Sequence, residues 1–505
     1  MRFIKYIKAG LCASLFMAVV GCNDYLDINN NPNQVTTATP QLALPSALAT
    51  TGWYLSGNVP PGSGTTANTN FYFLNLWMGY WNWSGNYSIA TSDKNYQFTQ
   101  GFNNSIWSSA YLNLSNYNYI ENQATTLNQP ILRGMAKIMK ALHFHILVDT
   151  YGDVPYRSAL QGTTNILPSY ESGQVIYEDL FKQIDSAMVF LNNSEGTLNP
   201  GANDIMFGGD VSKWLKFGNT LKLRMLLRQS EKPERAQFIQ SQLAIINASG
   251  YGFLGPRENA SVNPGYSNSQ NQQNPLYGAF YAINGNPTTL NNQYKGNLYG
   301  ITFYQQTNDP RLNAYYRPVA GTTSQFNGTY FGTTDPLVNS QVSDIGPGVL
   351  QNVSQSSPVL QSHESLFMQS EAAQRGWIQG DPKALYQSAI TESFLNVGRT
   401  AAEAATYYAQ PGVADVNWEA SPNKLEAIIT QKWASENGTA PFEAWSDYRR
   451  LGLPATIPIS QDPSTTVRQI PVRLLYPTSE YSNNATNVAA QGTINQFTSK
   501  IFWMK

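Results

Sequence analysis

Cysteine is almost missing. The 505-residue chain carries two, Cys12 and Cys22, both near its beginning. The remainder therefore has no disulfide framework and no Cys-built zinc or iron–sulfur centre. Histidine is nearly as scarce, with His143, His145 and His363 alone. His143 and His145 stand two apart and face different sides of a helix, so they do not make an i, i+4 metal pair. A nucleophile–base dyad built on Cys or His has little raw material. No G-x-S-x-G, phosphate-binding glycine loop or zinc motif occurs. Charge is thin too: 12% of residues are charged, about half the usual share, and the formal net charge is −1. Nothing in that balance steers nucleic acid.

What is present is apolar and aromatic mass, and asparagine. With 42% hydrophobic and 12% aromatic residues, a sizeable core is available and disorder is disfavoured. Roughly one residue in ten is Asn. The length allows about three domains, or one large helical array. At the start, Arg2, Lys5 and Lys8 precede a short apolar run from Leu11 to Val20. That run is too short to span a bilayer as a mature helix and reads as a secretory signal. It ends Val19-Val20-Gly21-Cys22, which looks like a bacterial lipobox. Residues 1–21 are predicted as a lipoprotein signal, Cys22 as the lipidated residue and 22–40 as a polar tether. Without the signal the chain has 28 basic and 32 acidic residues. Several acyl chains, at ~0.8 kcal/mol per buried CH₂, give stable anchoring without a transmembrane helix. In the tether Asp27, Asn29 and Asn31 alternate as in a calcium loop. Pro32 stands where that loop needs Gly, however, and Ala38 where it needs Glu.

The mature chain reads as mainly α. A first helical region is predicted over 41–251. In it, Ile131, Met135, Ile138, Leu142 and Ile146 recur at helical spacing, and Asp210 or Ser212 can cap a helix through Trp214, Leu221 and Met225. A second helical region is predicted over 362–452, with Asp381-Pro382 opening one helix. Helix pairs joined by short turns suggest a degenerate tetratricopeptide-like array, an α–α superhelix, though without a fixed period. Between them, 252–361 carries eight charges and fourteen aromatics in 110 residues. It reads as an irregular but folded, loop-rich insertion with little β. Residues 453–505, with five prolines through Pro477, read as an extended segment packing back on the helices.

Several segments, taken in order, resemble the SusD/RagB-like outer-membrane lipoproteins. They are Ala136–Ala141 with Leu147–Tyr156; Trp214–Asn219 with Leu221–Arg224; Glu371–Gly376; Gln431-Lys432-Trp433 with Glu443-Ala444-Trp445, Asp447 and Arg449-Arg450; and Arg473–Pro477 with Glu480 and Asn484. The resemblance spans nearly the whole mature chain. It implies tetratricopeptide-like helix pairs carrying a loop-rich face. It also implies a lipid anchor in the outer membrane facing the cell exterior, and a SusC-type TonB-dependent transporter as partner. Such proteins capture oligosaccharides, or peptides in some branches, and are not enzymes. No cofactor or metal is implied.

Glycans offer apolar C–H faces and hydroxyl rims, met by aromatic platforms and by amides. Covering ~60 Å² of one ring contributes about 1.5 kcal/mol. Three platforms barely match the ~4 kcal/mol lower bound on association cost, so affinities between micromolar and millimolar are expected. Two clusters qualify. In Trp77–Tyr87, Trp77 and Trp81 read as core, whereas Trp83 and Tyr87, beside Ser84-Gly85-Asn86, read as ligand-binding candidates together with Asn86. In the insertion, most of the tyrosines read as local core. Tyr294, Tyr299 and Tyr330, set among Asn and Gly, are the binding candidates. His145, Asp149 and Asp153 read as structural, with Gly152 ending their helix, and Arg449 and Arg450 as buried or half-buried ion pairs. The leading expectation is a glycan-binding, non-enzymatic subunit of an uptake complex. The alternatives are a peptide or other nutrient as ligand, a lipoprotein glycoside hydrolase, or an assembly scaffold.

Overall fold

The computed structural model describes residues 38–58 and 71–505; the predicted signal, Cys22 and most of the tether lie outside them. The Thr39 side chain accepts from the Leu42 N–H and opens helix α1 (Pro40–Leu55), with proline in its first turn. The longer helices that follow are α2 (Ser105–Thr126), α3 (Pro130–Tyr151), α4 (Gly173–Asn192), α5 (Val211–Arg228) and α6 (Ala236–Ser249). A later group comprises α7 (Ser362–Gln374), α8 (Pro382–Asn396), α9 (Ala401–Tyr408), α10 (Lys424–Ser435) and α11 (Pro441–Leu451). The molecule is mainly helical.

Local signals place these boundaries. Asp210 accepts from Lys213 N–H at the start of α5, and Asp381 from Lys383 N–H at the start of α8. Gly152 takes φ +80° directly after α3, a conformation that penalises residues with a Cβ. Neighbours in sequence pack as antiparallel pairs: α1 with α2, α2 with α3, α3 with α4, α7 with α8. The α3–α4 approach is close at Gly134, where an added Cβ would lie 2.8 Å from Leu191 Cγ and 2.9 Å from the Ala187 carbonyl oxygen.

Buried charge ties the two helical groups together. Arg224 of α5 reaches Glu364 of α7 at 2.5 Å, while Arg228 pairs with Asp149 at 3.0 Å and with Glu443 of α11. Arg450 forks onto Glu371 at 2.5 and 2.8 Å, and Lys432 lies 2.7 Å from Asp447. Asp149 is saturated: Tyr177 Oη, Trp503 Nε1 (2.7 Å) and Arg228 Nε (3.0 Å) all donate to its carboxylate. Burial works against that carboxylate's charge, but His145, Arg228 and Arg449 outweigh it and hold it below the usual range. His145 Nε2 stands 3.1 Å from Asp149 Oδ2, at ion-pair distance but off the hydrogen-bond line. Arg449 departs from expectation. Among the described residues it meets no carboxylate; it donates to the carbonyls of Asp149 (2.6 Å) and Val472 (3.0 Å) and lies over Trp445. The C-terminal segment closes over this core through Leu474 N–H to Thr150 O and through Trp503.

Among the described residues the β-strands form three short antiparallel pairs. β1 (Trp81–Trp83) pairs with β5 (Tyr294–Gly296), β2 (Val154–Pro155) with β3 (Tyr170–Glu171), and β4 (Ala260–Val262) with β6 (Ser357–Leu360). Between Gly252 and Gln361 the chain also forms short helices, Pro275–Phe280 and Leu298–Gln306 among them. Many of its tyrosines are structural, as is Tyr80 just before β1. The last carbonyls of a helix have no intrahelical donor. Tyr80, Tyr304 and Tyr315 supply hydroxyls to Trp433 O (2.6 Å), Ala434 O (2.7 Å) and Ser435 O (3.1 Å) at the end of α10.

Candidate ligand-binding site

The site is built on the β1–β5 pair. Trp83 stands opposite Tyr294 in the register, and their ring centroids are 5.4 Å apart. Side chains alternate along a strand, so Trp81 and Trp83 share one face while Asn82 turns to the other. There Asn82 Nδ2 donates to Thr329 Oγ1 (2.7 Å), Thr329 O (3.1 Å) and Tyr330 O (3.0 Å). The turn after β1 is clipped to the insertion. Gly85 N–H donates to Leu337 O, and a Cβ at Gly85 would lie 2.3 Å from the Pro336 carbonyl oxygen. Asn86 Oδ1 accepts from Asn339 N–H at 2.8 Å.

Between this strand pair and residues 89–103 lies a cavity of about 410 Å³, within the ~300–1,000 Å³ of small-molecule sites. Phe73, Trp77, Trp83, Phe98, Phe102, Tyr294 and Phe331 contribute rings to its wall. Trp77, Phe98 and Tyr294 are buried, whereas Trp83 and Phe102 are half-buried. Phe102 lies nearly parallel to Trp77, with 6° between planes, and stacks on Phe98 at 4.5 Å. Trp83 and Phe102 are thus backed by fixed rings and retain open surface. Trp83 Nε1–H has no hydrogen-bond partner among the described residues. Apart from the Tyr294 phenol, the only ionisable group on the wall among the described residues is Asp93. Burial pushes its carboxyl up, opposed by the Ser92 hydroxyl that donates to it at 3.4 Å. Such a wall suits a neutral ligand with apolar faces and a few polar edges.

Of the residues singled out from sequence, Trp83 and Tyr294 meet at this cavity. Tyr294 contributes as a buried part of the wall: pairing of β5 with β1 buries it to 3% exposure against Tyr72, Trp81 and Trp83. Asn86, Tyr87, Tyr299 and Tyr330 lie outside the wall. Asn86 is exposed and engaged as the clip to Asn339, and Tyr87 is half-buried. Tyr299 is half-buried edge-on to Trp433, 2.7 Å from Thr456 Oγ1, and Tyr330 is half-buried beside Asn82. The segment Phe98-Thr99-Gln100-Gly101-Phe102-Asn103 was missed. Its two phenylalanines among Gly and Asn, shortly after the Trp cluster, are the signal that points to it.

Asp149 and Asp153 form no acid–base couple. The first is buried and fully engaged, and Asp153 Oδ1 accepts from Gly173 N–H at 2.8 Å. Among the described residues no group of three His, Cys, Asp or Glu is placed to hold a metal, and no helix is long and apolar enough to cross a membrane.

Residues 58–477 match the SusD-like family described as starch-binding and associating with the outer membrane. The chain belongs to the SusD-like family. The family comprises nutrient-binding proteins of the outer membrane without catalytic activity. No curated protein matches the chain. Among solved structures, a chitin-binding protein is similar at 24% identity and TM-score 0.74, covering 92% of this chain and 100% of its own. A chitin-binding SusD homologue from Flavobacterium johnsoniae is similar at 21% identity and TM-score 0.75, covering 91% and 98%. A SusD-like protein from Bacteroides thetaiotaomicron is similar at 23% identity and TM-score 0.72, covering 91% and 98%. These likenesses establish the SusD-like fold.

Proposed function

We propose that this SusD-like protein captures a neutral glycan in the aromatic cavity and passes it to a SusC-type TonB-dependent transporter. In this reading it is held at the outer surface of the outer membrane by lipid on Cys22. The observation that carries the proposal is the cavity itself: half-buried Trp83 and Phe102 rigidly backed by Trp77, Phe98 and Tyr294, with a lone carboxylate on the wall. Both rings can cover a sugar's C–H face, each contributing about 1.5 kcal/mol. The amide of Asn103 lines the cavity and is available to oxygen acceptors, and the buried Trp83 Nε1–H has no partner among the described residues. Asn86, Tyr87, Tyr299 and Tyr330, on the same loop-rich segments, are proposed to contact a chain longer than the cavity. The family's starch-binding description and the two chitin-binding relatives support a polysaccharide and set the first ligands to try.

Affinity electrophoresis through gels holding soluble starch or glycol chitin tests this. Retardation by one polysaccharide, reduced in Trp83→Ala and in Phe102→Ala, is the expected result. Retardation indifferent to both substitutions places the site elsewhere. No retardation by any glycan, with binding of peptides instead, overturns the ligand class.

A further inference from the structure

A second cavity, of about 240 Å³, shares no lining residue with the aromatic one. It lies beside the β4–β6 pair, at the start of α7 and the ends of α8 and α10. Its character is opposite. Amides, hydroxyls and one imidazole line it, with no carboxylate, lysine or arginine and no Phe, Tyr or Trp platform among the described residues.

A relay of hydrogen bonds sets the state of that imidazole. The Ser362 backbone N–H, which can only donate, binds Asn259 Oδ1 at 2.7 Å. Asn259 therefore presents Nδ2 to Asn396 Oδ1 at 3.2 Å, and Asn396 in turn presents Nδ2 to His363 Nδ1 at 2.9 Å. Flipping either amide would set like groups against each other. His363 Nδ1 is thus the acceptor and Nε2 carries the proton. Burial, reinforced by the charges of Arg311 and Lys432, pushes the His363 pKa down to about 3, so the ring is neutral. The residue is 2% exposed and lines the cavity, and its Nε2–H has no partner among the described residues. Buried donors are seldom left so. Ser261, Gln361 and Thr439 are half-buried on the same wall, and their side chains make no hydrogen bond among the described residues.

We propose that this cavity is a second binding site, for a neutral hydroxyl-rich molecule, namely a single saccharide ring or a polyol. An oxygen of the ligand accepts from His363 Nε2–H, and its other hydroxyls pair with Ser261, Gln361 and Thr439. A charged ligand would find no counter-charge here, and an apolar one would leave four polar side chains unmet. Without an aromatic platform the site reads hydroxyl geometry rather than a stacked sugar face. The proposal does not rest on the aromatic cavity's being a glycan site.

The test uses the chain carrying Trp83→Ala, so that the aromatic cavity is weakened. Glucose, N-acetylglucosamine and mannitol are titrated in separate arms while the imidazole ¹H–¹⁵N signals of the three histidines are followed. The expected result is a saturable shift of the His363 signal, with His143 unmoved, for at least one probe. The sugar and mannitol arms separate the two sources. Thr439→Val, nearly isosteric and half-buried, should weaken that binding about tenfold, the effect of losing one to two hydrogen bonds. The proposal is overturned if no probe moves the signal, as for a cavity that holds water alone. It is equally overturned if the titration is unchanged in Thr439→Val, Ser261→Ala and Gln361→Leu. Should His363→Gln, used for assignment, fail to fold, these three variants still decide.

Discussion

The helical framework and the loop-rich face use polar chemistry in opposite ways. In the framework, charge is turned inward: Asp149, Arg224, Arg228, Glu364, Glu443, Asp447 and Arg450 are all buried and mutually paired. On the face, the aromatic cavity carries Asp93 as its one carboxylate among the described residues, and its rings are held by strand pairing and ring-on-ring packing rather than by ions. A chain with so few charges can still be electrostatically rigid, provided the charges it has are concentrated inside. The wall of the aromatic cavity is left with little charge, which suits uncharged ligands. Binding and stability should therefore separate cleanly on mutation.

The sharpest break is Asp149→Ala. Removing one member of a buried ionic network typically costs about 3–5 kcal/mol, and here it takes the acceptor from Arg228 Nε, the Tyr177 hydroxyl and the Trp503 N–H. Urea unfolding should show that loss, whereas a loss below about 1 kcal/mol would mean the network is incidental. Acid should act on the same framework. His143 and His363 are buried and pushed down to about 3, against ~6.5 in the unfolded chain. The unfolded state then binds more protons, so stability is complete above about pH 6.5 and is lost as pH falls from there toward 3. By pH 5 each histidine should remove about 2 kcal/mol. Below about pH 4 the loss should steepen as Asp149, Glu443 and Asp447, all held low by their cationic neighbours against burial, take up protons. A Tm that stays level between pH 7 and pH 5 would contradict this.

On the face, Trp83→Ala should weaken glycan binding about tenfold, from the ~1.5 kcal/mol of one stacked ring. Calorimetric titration beside a melting curve checks that affinity falls much further than Tm. If both fall together, the ring is core rather than platform. The smallest effect belongs to the surface of the framework itself. Lys383 and Glu419 lie 2.6 Å apart but are both exposed, so Lys383→Ala should leave Tm within error.

Much of the framework was legible in the chain because its signals are local. Asp210 and Asp381 cap where they stand beside their helices, Gly152 ends α3, and the Ile131–Ile146 stripe is buried along one helix. Trp77 and Trp81, four apart, are both core. The face was harder to read. Tyr294 sits among Asn and Gly, as a surface residue would, yet its partner strand at Trp81–Trp83 is distant in sequence, and that pairing buries it. Arg449 and Arg450 are adjacent and of one type. The turn of α11 sends Arg450 to Glu371 and Asp447, and Arg449 to backbone carbonyls and Trp445.

By itself the sequence determined a few helix ends, at Asp210, Asp381 and Gly152, that Cys- and His-built catalytic centres have little raw material, and which family motifs run in order along the chain. Caps, periodicity and composition act within a few residues, so no fold need be known to read them. Only the tertiary structure decided which aromatics keep an open face and which hydrogen-bonding groups stay unmet. Phe102 and Trp83 keep open surface on a cavity while Tyr294, in its wall, and Tyr304 and Tyr315 are buried. His363 is left with a lone N–H because Asn396, itself oriented by Asn259 from a distant segment, donates to its other nitrogen. Exposure and hydrogen-bond satisfaction are set by contacts between segments far apart in the chain, and residue type alone does not carry them.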